Sequence, residues 1–304
     1  MRKRKQKIIP NLWFSHQAEE AVKFYTSVFT NSEIHRSTKY MEAGQEIHQM
    51  EPGSVMTVEF EMEGLKIVAL NGGPHFKFNP SVSLFVLCKT AEETESLWQK
   101  LSEGGKILIP LDSYDWSPKY AWVQDKYGLS WQLMLEEEED FNQKIVPLLF
   151  FTGKIHGKAE EAIRFYNSMF KDAEIQGILN YGPENSYANG SIMHAQFLLE
   201  GETYMAMDSG MENDFPFNEA VSFIITCKDQ EEIDYYWDKL TAGGDPNAQQ
   251  CGWLKDKYGV SWQVIPQGME EILGNPEREK ANRGMEAVMH MKKFDLEVLR
   301  EATR

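Results

Sequence analysis

Short apolar runs alternate with helically spaced apolar stripes along this chain, and their order predicts a compact series of elements. Residues 8–14 are a short apolar strand. Residues 17–29 place Ala18, Ala21, Val22, Tyr25 and Phe29 on one helical face, with Glu19 and Glu20 in the first turn, where the helix dipole favours carboxylates. Residues 55–61 and 66–70 predict two strands joined by the tight turn Glu63-Gly64, and 82–88 a further strand. A helix over 91–101 ends at Gly104-Gly105, and two last strands, near 120–124 and 130–135, flank Asp125-Lys126-Tyr127-Gly128. The segment is thus β-α-β-β-β performed twice.

The same pattern then returns. Lys7-Ile8-Ile9-Pro10 recurs as Lys144-Ile145-Val146-Pro147, and Glu19-Glu20-Ala21-Val22-Lys23-Phe24-Tyr25 as Glu160-Glu161-Ala162-Ile163-Arg164-Phe165-Tyr166. Asp125-Lys126-Tyr127-Gly128-Leu129-Ser130-Trp131-Gln132 recurs as Asp256-Lys257-Tyr258-Gly259-Val260-Ser261-Trp262-Gln263. Ser83, Cys88 and Trp98 likewise recur as Ser222, Cys227 and Trp237. A repeat of this length is a whole domain, too long for a solenoid unit of roughly 20–50 residues. The organisation predicted is a first domain over 1–136, an acidic linker over 137–143, a second domain over 144–266 and a helical tail over 267–304. The fold class is α+β, four β-α-β-β-β modules with mostly antiparallel sheets. In the tail, Asn275 can cap a helix that starts with Pro276 and carries a methionine-rich stripe, expected to pack on the body.

The copies differ where loops would lie. The second has four extra residues, 153–156, after its first strand; the first is longer over 107–116, before its Asp-Lys-Tyr-Gly turn. Specificity tends to be set in such loops, so the two copies need not bind the same thing.

Composition narrows the function classes. With 31 Lys and Arg against 47 Asp and Glu, the net charge of −16 argues against nucleic-acid backbones and anionic membranes as partners. No apolar run approaches the ~20 residues of a membrane span, and the basic start lacks an apolar signal core. The three cysteines imply no disulfide framework, so a cytoplasmic protein is expected. Two copies can satisfy each other as an internal pseudo-dimer, which leaves a monomer or a homodimer.

Pro10-Asn11-Leu12-Trp13-Phe14, the Ala-Glu-Glu-Ala…Phe-Tyr helix, Ala69-Leu70-Asn71-Gly72-Gly73-Pro74 and Cys251-Gly252-Trp253-Leu254-Lys255-Asp256-Lys257-Tyr258-Gly259 carry a family pattern. Together they resemble the PhnB-like branch of the glyoxalase/bleomycin-resistance superfamily, the vicinal oxygen chelate proteins. That branch often carries the name 3-demethylubiquinone-9 3-methyltransferase-like. The resemblance implies paired modules whose strands curl into U-shaped clefts. In the superfamily's enzymes, inward side chains hold a divalent metal that chelates neighbouring substrate oxygens.

The residues here are poor in metal ligands. Gln132 and Gln263 stand where a Glu is expected in the last strand, Pro10 and Pro147 at the approximate first-strand position, and Ser81 and Ala220 where a His is expected. Asn71 and Asp208, at the ends of equivalent strands, are the remaining oxygen donors expected near the clefts. The seven histidines show neither repeat-equivalent pairing nor HxH or HxxxH spacing. No Gly-rich loop in a parallel doubly wound pattern announces an S-adenosylmethionine site, so the methyltransferase name gains no support from the residues. Cys251 beside Gly252 is a structural thiol or, as the lesser reading, a reactive one.

The cleft candidates are therefore Trp13, Asn71, Trp122, Gln132, Asp208, Cys251, Trp253 and Gln263. The expectation is a protein that binds a small, partly apolar molecule without a cofactor. The alternative is a metal-dependent lyase, isomerase or dioxygenase built on Asp208, Gln263 and His194, and a third reading is a structural or interaction protein working through its tail and acidic surface.

Overall fold

A computed structural model describes residues 6–136, 141–269 and 277–304. The first module comprises β1 (Ile8–Phe14), α1 (Ala18–Val28), β2 (Ser32–Lys39), a single turn α2 (Gln45–His48), β3 (Val55–Met62) and β4 (Leu65–Asn71). The second comprises β5 (Val82–Cys88), α3 (Ala91–Ser102), β6 (Lys106–Tyr114), β7 (Ser117–Gln124) and β8 (Ser130–Leu135). The third is β9 (Ile145–Phe151), α4 (Ala159–Met169), β10 (Glu174–Asn180), β11 (Ile192–Leu199) and β12 (Glu202–Asp208). The fourth is β13 (Val221–Cys227), α5 (Gln230–Thr241), β14 (Asp245–Gln250), β15 (Trp253–Lys255) and β16 (Ser261–Pro266). The tail adds α6 (Arg278–Met289) and α7 (Leu296–Ala302).

The predicted tandem α+β architecture is present, with strand pairing that crosses the repeats. One eight-stranded sheet runs β14-β15-β16-β13-β1-β4-β3-β2 and the other β10-β11-β12-β9-β5-β8-β7-β6. The first sheet therefore joins modules one and four, and the second joins modules two and three. The seams are antiparallel, β1 on β13 and β5 on β9, and most other ladders are antiparallel as well. Within each sequence copy the two modules meet through their helical sides instead. Tyr25 of α1 and Phe29 pack on Trp131 of β8, and Tyr166 of α4 and Phe170 pack on Trp262 of β16. One continuous core runs through these helix-side faces of both sheets.

Both sheets are strongly curled. In a flat sheet, strands three positions apart lie about 14 Å from one another. Yet the rings of Trp13 on β1 and Trp253 on β15 are 5.9 Å apart, and those of Trp122 on β7 and Phe150 on β9 are 5.2 Å apart.

Two strands were not visible in the sequence pattern. β2 is an edge strand whose residues are mostly exposed, so its sequence carries no apolar alternation. The extra length at 107–116 is strand β6 and the tip of its hairpin with β7, where a plain loop was expected. The extra residues 153–156 form a 3-10 turn whose neighbours pack on the 213–215 loop. The proposed cap Asn275 and Pro276, and the acidic linker residues 137–140, lie outside the described residues. Among the described residues, no helix is long and apolar enough to cross a membrane.

Candidate functional site

Each sheet has a face turned away from the helices, and the repeat places equivalent positions on the two faces. On the second sheet Phe85, Leu87, Tyr120, Trp122, Val146, Leu148, Phe150 and Met205 form a buried apolar cluster of their own. The matching residues of the first sheet are, in the same order, Ile224, Thr226, Cys251, Trp253, Ile9, Asn11, Trp13 and Val68. Five of these are shorter or polar (Ile for Phe, Thr for Leu, Cys for Tyr, Asn for Leu, Val for Met), and two are larger (Ile for Val, Trp for Phe). Every residue of β5 and β9 is buried, whereas Ile9, Trp13, Ile224 and Thr226 are half-buried. The centre of one concave face, over β5 and β9, is filled by its own side chains, and the matching centre of the other is filled less. Further out on the second sheet a shallow cavity of about 390 Å³ lies among Gln176, Ile178, Leu179, His194 and Gln196.

The polar groups follow the same division. On the second sheet Tyr120 donates its hydroxyl to Gln132 Oε1 at 2.7 Å, Gln132 Nε2 donates to Ser83 Oγ at 2.8 Å, and Trp122 Nε1 donates to Ser130 Oγ at 2.7 Å. On the first sheet Gln263 Nε2 still donates to Ser222 Oγ at 3.0 Å, joined by Asn11 Nδ2 at 3.3 Å. Cys251 replaces the phenol that would reach Gln263 Oε1. Trp253 does not repeat the indole bond, and Ser261 Oγ, in a residue 1% exposed, is left with no partner among the described residues. Trp13 donates its own indole N–H to Gly73 O at 2.8 Å and packs edge-on against Phe76 and Trp253. Past the end of β1, towards the helix side, a cavity of about 330 Å³ lies between Trp13, Phe14, Phe76, Phe78 and Tyr127, with Lys77 and Lys126 in its lining; of the concave face it touches Trp13 but not Cys251, Trp253 or Gln263.

The structure thus divides the sequence candidates. Trp13, Cys251, Trp253 and Gln263 belong to the first concave face, Trp122 and Gln132 to the second. Asn71 and Asp208 belong to neither. Asn71 Oδ1 accepts from Ala18 N at 2.9 Å, and Asp208 Oδ1 accepts from Gly157 N at 2.7 Å and Ala159 N at 3.3 Å, so each holds the start of a helix. Asp208 Oδ2 also takes Ile192 N, and burial pushes its carboxyl above the usual range. Burial likewise raises the Cys251 thiol, which suits an inert cysteine better than a nucleophile. Sequence reasoning missed Asn11 and Ser222 on the open face; the recurrence of Ser83 as Ser222 was the available signal.

A divalent metal does not fit these donors. Pro10 alternates with Asn11 and lies on the helix side with Ile8 and Leu12. What converges on the open floor is two amides, of Asn11 and Gln263, and two hydroxyls, of Ser222 and Ser261, the first three bonded to one another; Glu59, opposite Val68 on this face, is paired with Arg36. Asp208, Gln263 and His194 are not brought together: Asp208 caps α4, Gln263 is on the other sheet, and His194 is on β11. Among the described residues no three His, Cys, Asp or Glu side chains group as a metal site.

The contrast between the faces gives a stability prediction. Gln132→Leu orphans the Tyr120 hydroxyl and the Ser83 hydroxyl, and should cost about 2–3 kcal/mol in urea unfolding. Gln263→Leu loses one such bond and should cost about 1 kcal/mol. Equal losses would show that the two floors are equally knit.

A family model described as 3-demethylubiquinone-9 3-methyltransferase matches residues 6–134 and 143–265. Among solved structures, the PhnB protein of Bacillus cereus is 41% identical over 43% of this chain and 100% of its own, with a TM-score of 0.40. A Staphylococcus aureus protein is 39% identical over 43% of this chain and 96% of its own, with a TM-score of 0.18. Glyoxalase I from Zea mays is 11% identical over 89% of this chain and 98% of its own, with a TM-score of 0.56, a likeness of fold. The comparison with curated proteins finds no match.

Proposed function

The chain belongs to the 3-demethylubiquinone-9 3-methyltransferase family, whose model matches both of its repeats, and from that premise we propose that it binds one small, uncharged, partly apolar molecule on the concave face of the first sheet. The observation that carries the reading is the unequal filling of two equivalent faces. On one, Tyr120, Phe85, Leu87 and Leu148 complete a buried cluster; on the other, Cys251, Ile224, Thr226 and Asn11 stand in their places.

The chemistry of the open face defines the ligand. Trp13 and Trp253 supply aromatic surface, and Ile9, Leu70 and Ile224 supply aliphatic surface. Ser261 Oγ and the carbonyl of Gln263 are the polar handles. Two ion pairs lie beside the face, Arg36 with Glu59 at 2.5 Å and Lys255 with Glu219 at 2.9 Å. A neutral molecule with an apolar body and one or two hydrogen-bonding groups matches the apolar and amide-lined floor. The second sheet acts as the structural partner of the first. Methyl transfer forms no part of this reading, nor does metal chemistry, because the donors that converge here suit neither.

Fluorescence titration with N-phenyl-1-naphthylamine, a neutral aromatic amine, tests the proposal. One site per chain is expected, weakened about 5- to 10-fold by Gln263→Leu and left unchanged by Gln132→Leu. Two equivalent sites, or a loss of binding in Gln132→Leu alone, would remove it.

A further inference from the structure

The tail touches loops at both extremes of the first sheet, the turn between β14 and β15 and the loop that follows β2. At the β14 margin the contacts are of a permanent kind. Cys251 N donates to Met291 O and Gly252 N to Lys292 O, both at 2.7 Å, and Gln250 Nε2 donates to Met289 O at 2.5 Å. Phe294, 2% exposed, packs on Gly252, where a Cβ would lie 2.5 Å from its ring and where φ is +81°. Lys293 pairs with Asp234 at 2.7 Å, and Gln230 bonds both Phe294 O and Leu296 N.

At the β2 margin the contacts are slight. Arg278 pairs with Glu42 at 2.9 Å, with both side chains well exposed, which makes the pair weak in water. Met289 rests on Gly44, a glycine at φ +82° that has no side chain to interlock. His48 Nε2, on the turn after Gly44, is buried without a partner among the described residues, as is Asn282 Oδ1 on α6. A contact that leaves such groups dry and unpaired is held less firmly than one that satisfies them.

Met289 reaches Gly44, just beyond β2, and Gln250, at the end of β14, although these strands are the two extremes of the sheet order. A segment that joins the outer margins of a curled sheet crosses its mouth. We infer that α6 is a cover over the open concave face, hinged at the backbone of Met289–Phe294 and latched by the side chains of Arg278 on Glu42 and of Met289 on Gly44, so that the latch parts to admit the ligand. The inference rests on the first-sheet cleft being the binding site and adds how that site is entered.

The test needs no ligand. Ser261→Cys, in a chain where Cys251 is Ser, puts a thiol on the cleft floor; Cys88 and Cys227 are fully buried and report only unfolding. With iodoacetamide, a small neutral reagent, labelling of this thiol should be slow and should rise about tenfold on adding Arg278→Glu, which sets two acids against each other. Restoring the pair as Glu42→Arg with Arg278→Glu should return the slow rate. Equal rates with and without the latch, or no labelling until Cys88 and Cys227 also react, would overturn the cover. Hydrogen exchange of residues 40–54 in the chain carrying Arg278→Glu alone gives a second readout: faster exchange is expected, and unchanged exchange would count against the cover. Probe binding with unaltered labelling would keep the site and remove only its gate; altered labelling without probe binding would do the reverse.

Discussion

Asp256→Ala is expected to lower folding stability by about 4 kcal/mol, among the largest losses a single substitution in this chain can give. The carboxylate is 3% exposed and accepts four bonds. Its Oδ1 takes Tyr258 N at 2.9 Å and Val260 N at 3.0 Å, which closes the Asp-Lys-Tyr-Gly turn. Its Oδ2 takes the Tyr166 hydroxyl at 2.7 Å and Trp262 Nε1 at 2.9 Å, which ties α4 of the second sheet to β16 of the first. Alanine leaves four buried donors without an acceptor and severs that tie. Asp125 holds Tyr25 and Trp131 in the same way in the other copy, so Asp125→Ala should cost a similar amount.

The same group gives the fold a pH dependence of defined sign. Burial pushes Asp256 from 3.8 up to about 6, although its four donors pull the other way. The folded state therefore binds this proton more tightly than the unfolded state does. The corresponding stability is fully present below about pH 4 and is lost as pH rises through about 6, a change of about 3 kcal/mol. Asp256→Asn keeps the two backbone bonds and faces Trp262 with a donor that cannot accept. It should cost about 2 kcal/mol and flatten the stability profile between pH 4 and 7. A profile as steep as that of the parent would assign the slope to another group.

The second large effect separates the two tryptophans at equivalent positions. Trp122 is 9% exposed, bonds Ser130 and packs edge-on against Phe150, so Trp122→Ala should cost about 3–5 kcal/mol through the cavity it leaves. Its effect on N-phenyl-1-naphthylamine affinity should be small. Trp253 is half-buried and does not hold its serine, so Trp253→Ala should cost roughly half as much stability. It removes one of two aromatic walls, and probe affinity should fall about 30-fold or more, an anchor-sized loss of about 2 kcal/mol. Urea unfolding and fluorescence titration of both variants check the pair. Losses distributed the other way would place the site on the second sheet.

Much of the architecture was legible because the repeat reports itself. Two copies of the Asp-Lys-Tyr-Gly turn, with a tryptophan six residues after each aspartate, fix where each module ends, and periodicity fixes α1, α3, β4 and β8. Periodicity is silent on which strands pair across a seam: Ile8 faces Ile225, a partner more than 200 residues away, and no local signal carries that. The exchange of modules between sheets is thus a long-range fact. It decides which candidates can meet, and it parts Trp13 from Trp122 while joining it to Trp253.

Facing was legible for Gln132 and Gln263, because each follows a tryptophan that belongs to the core and alternation sends it to the other side. Asn71 and Asp208 misled because an oxygen at a strand end fits a cleft and a helix cap equally well. Only the amides of Ala18, Gly157 and Ala159 distinguish the two. The unequal filling of the two faces was written in the sequence, as Tyr120 against Cys251 and Leu148 against Asn11. It acquired meaning only when these positions were seen to share one surface.

The central claim is that the centre of the first concave face is open to ligand and that of the second is closed by its own side chains. The indole N–H resonances of Trp253 and Trp122, assigned by Trp→Phe substitution and followed by ¹⁵N NMR during titration with N-phenyl-1-naphthylamine and a set of small neutral aromatic amides, report on both faces at once. The structure predicts saturable shifts of Trp253 and Trp13 with Trp122 unmoved. Shifts of Trp122 with Trp253 unmoved, or no saturable shift of Trp253 with any of these compounds, would contradict it.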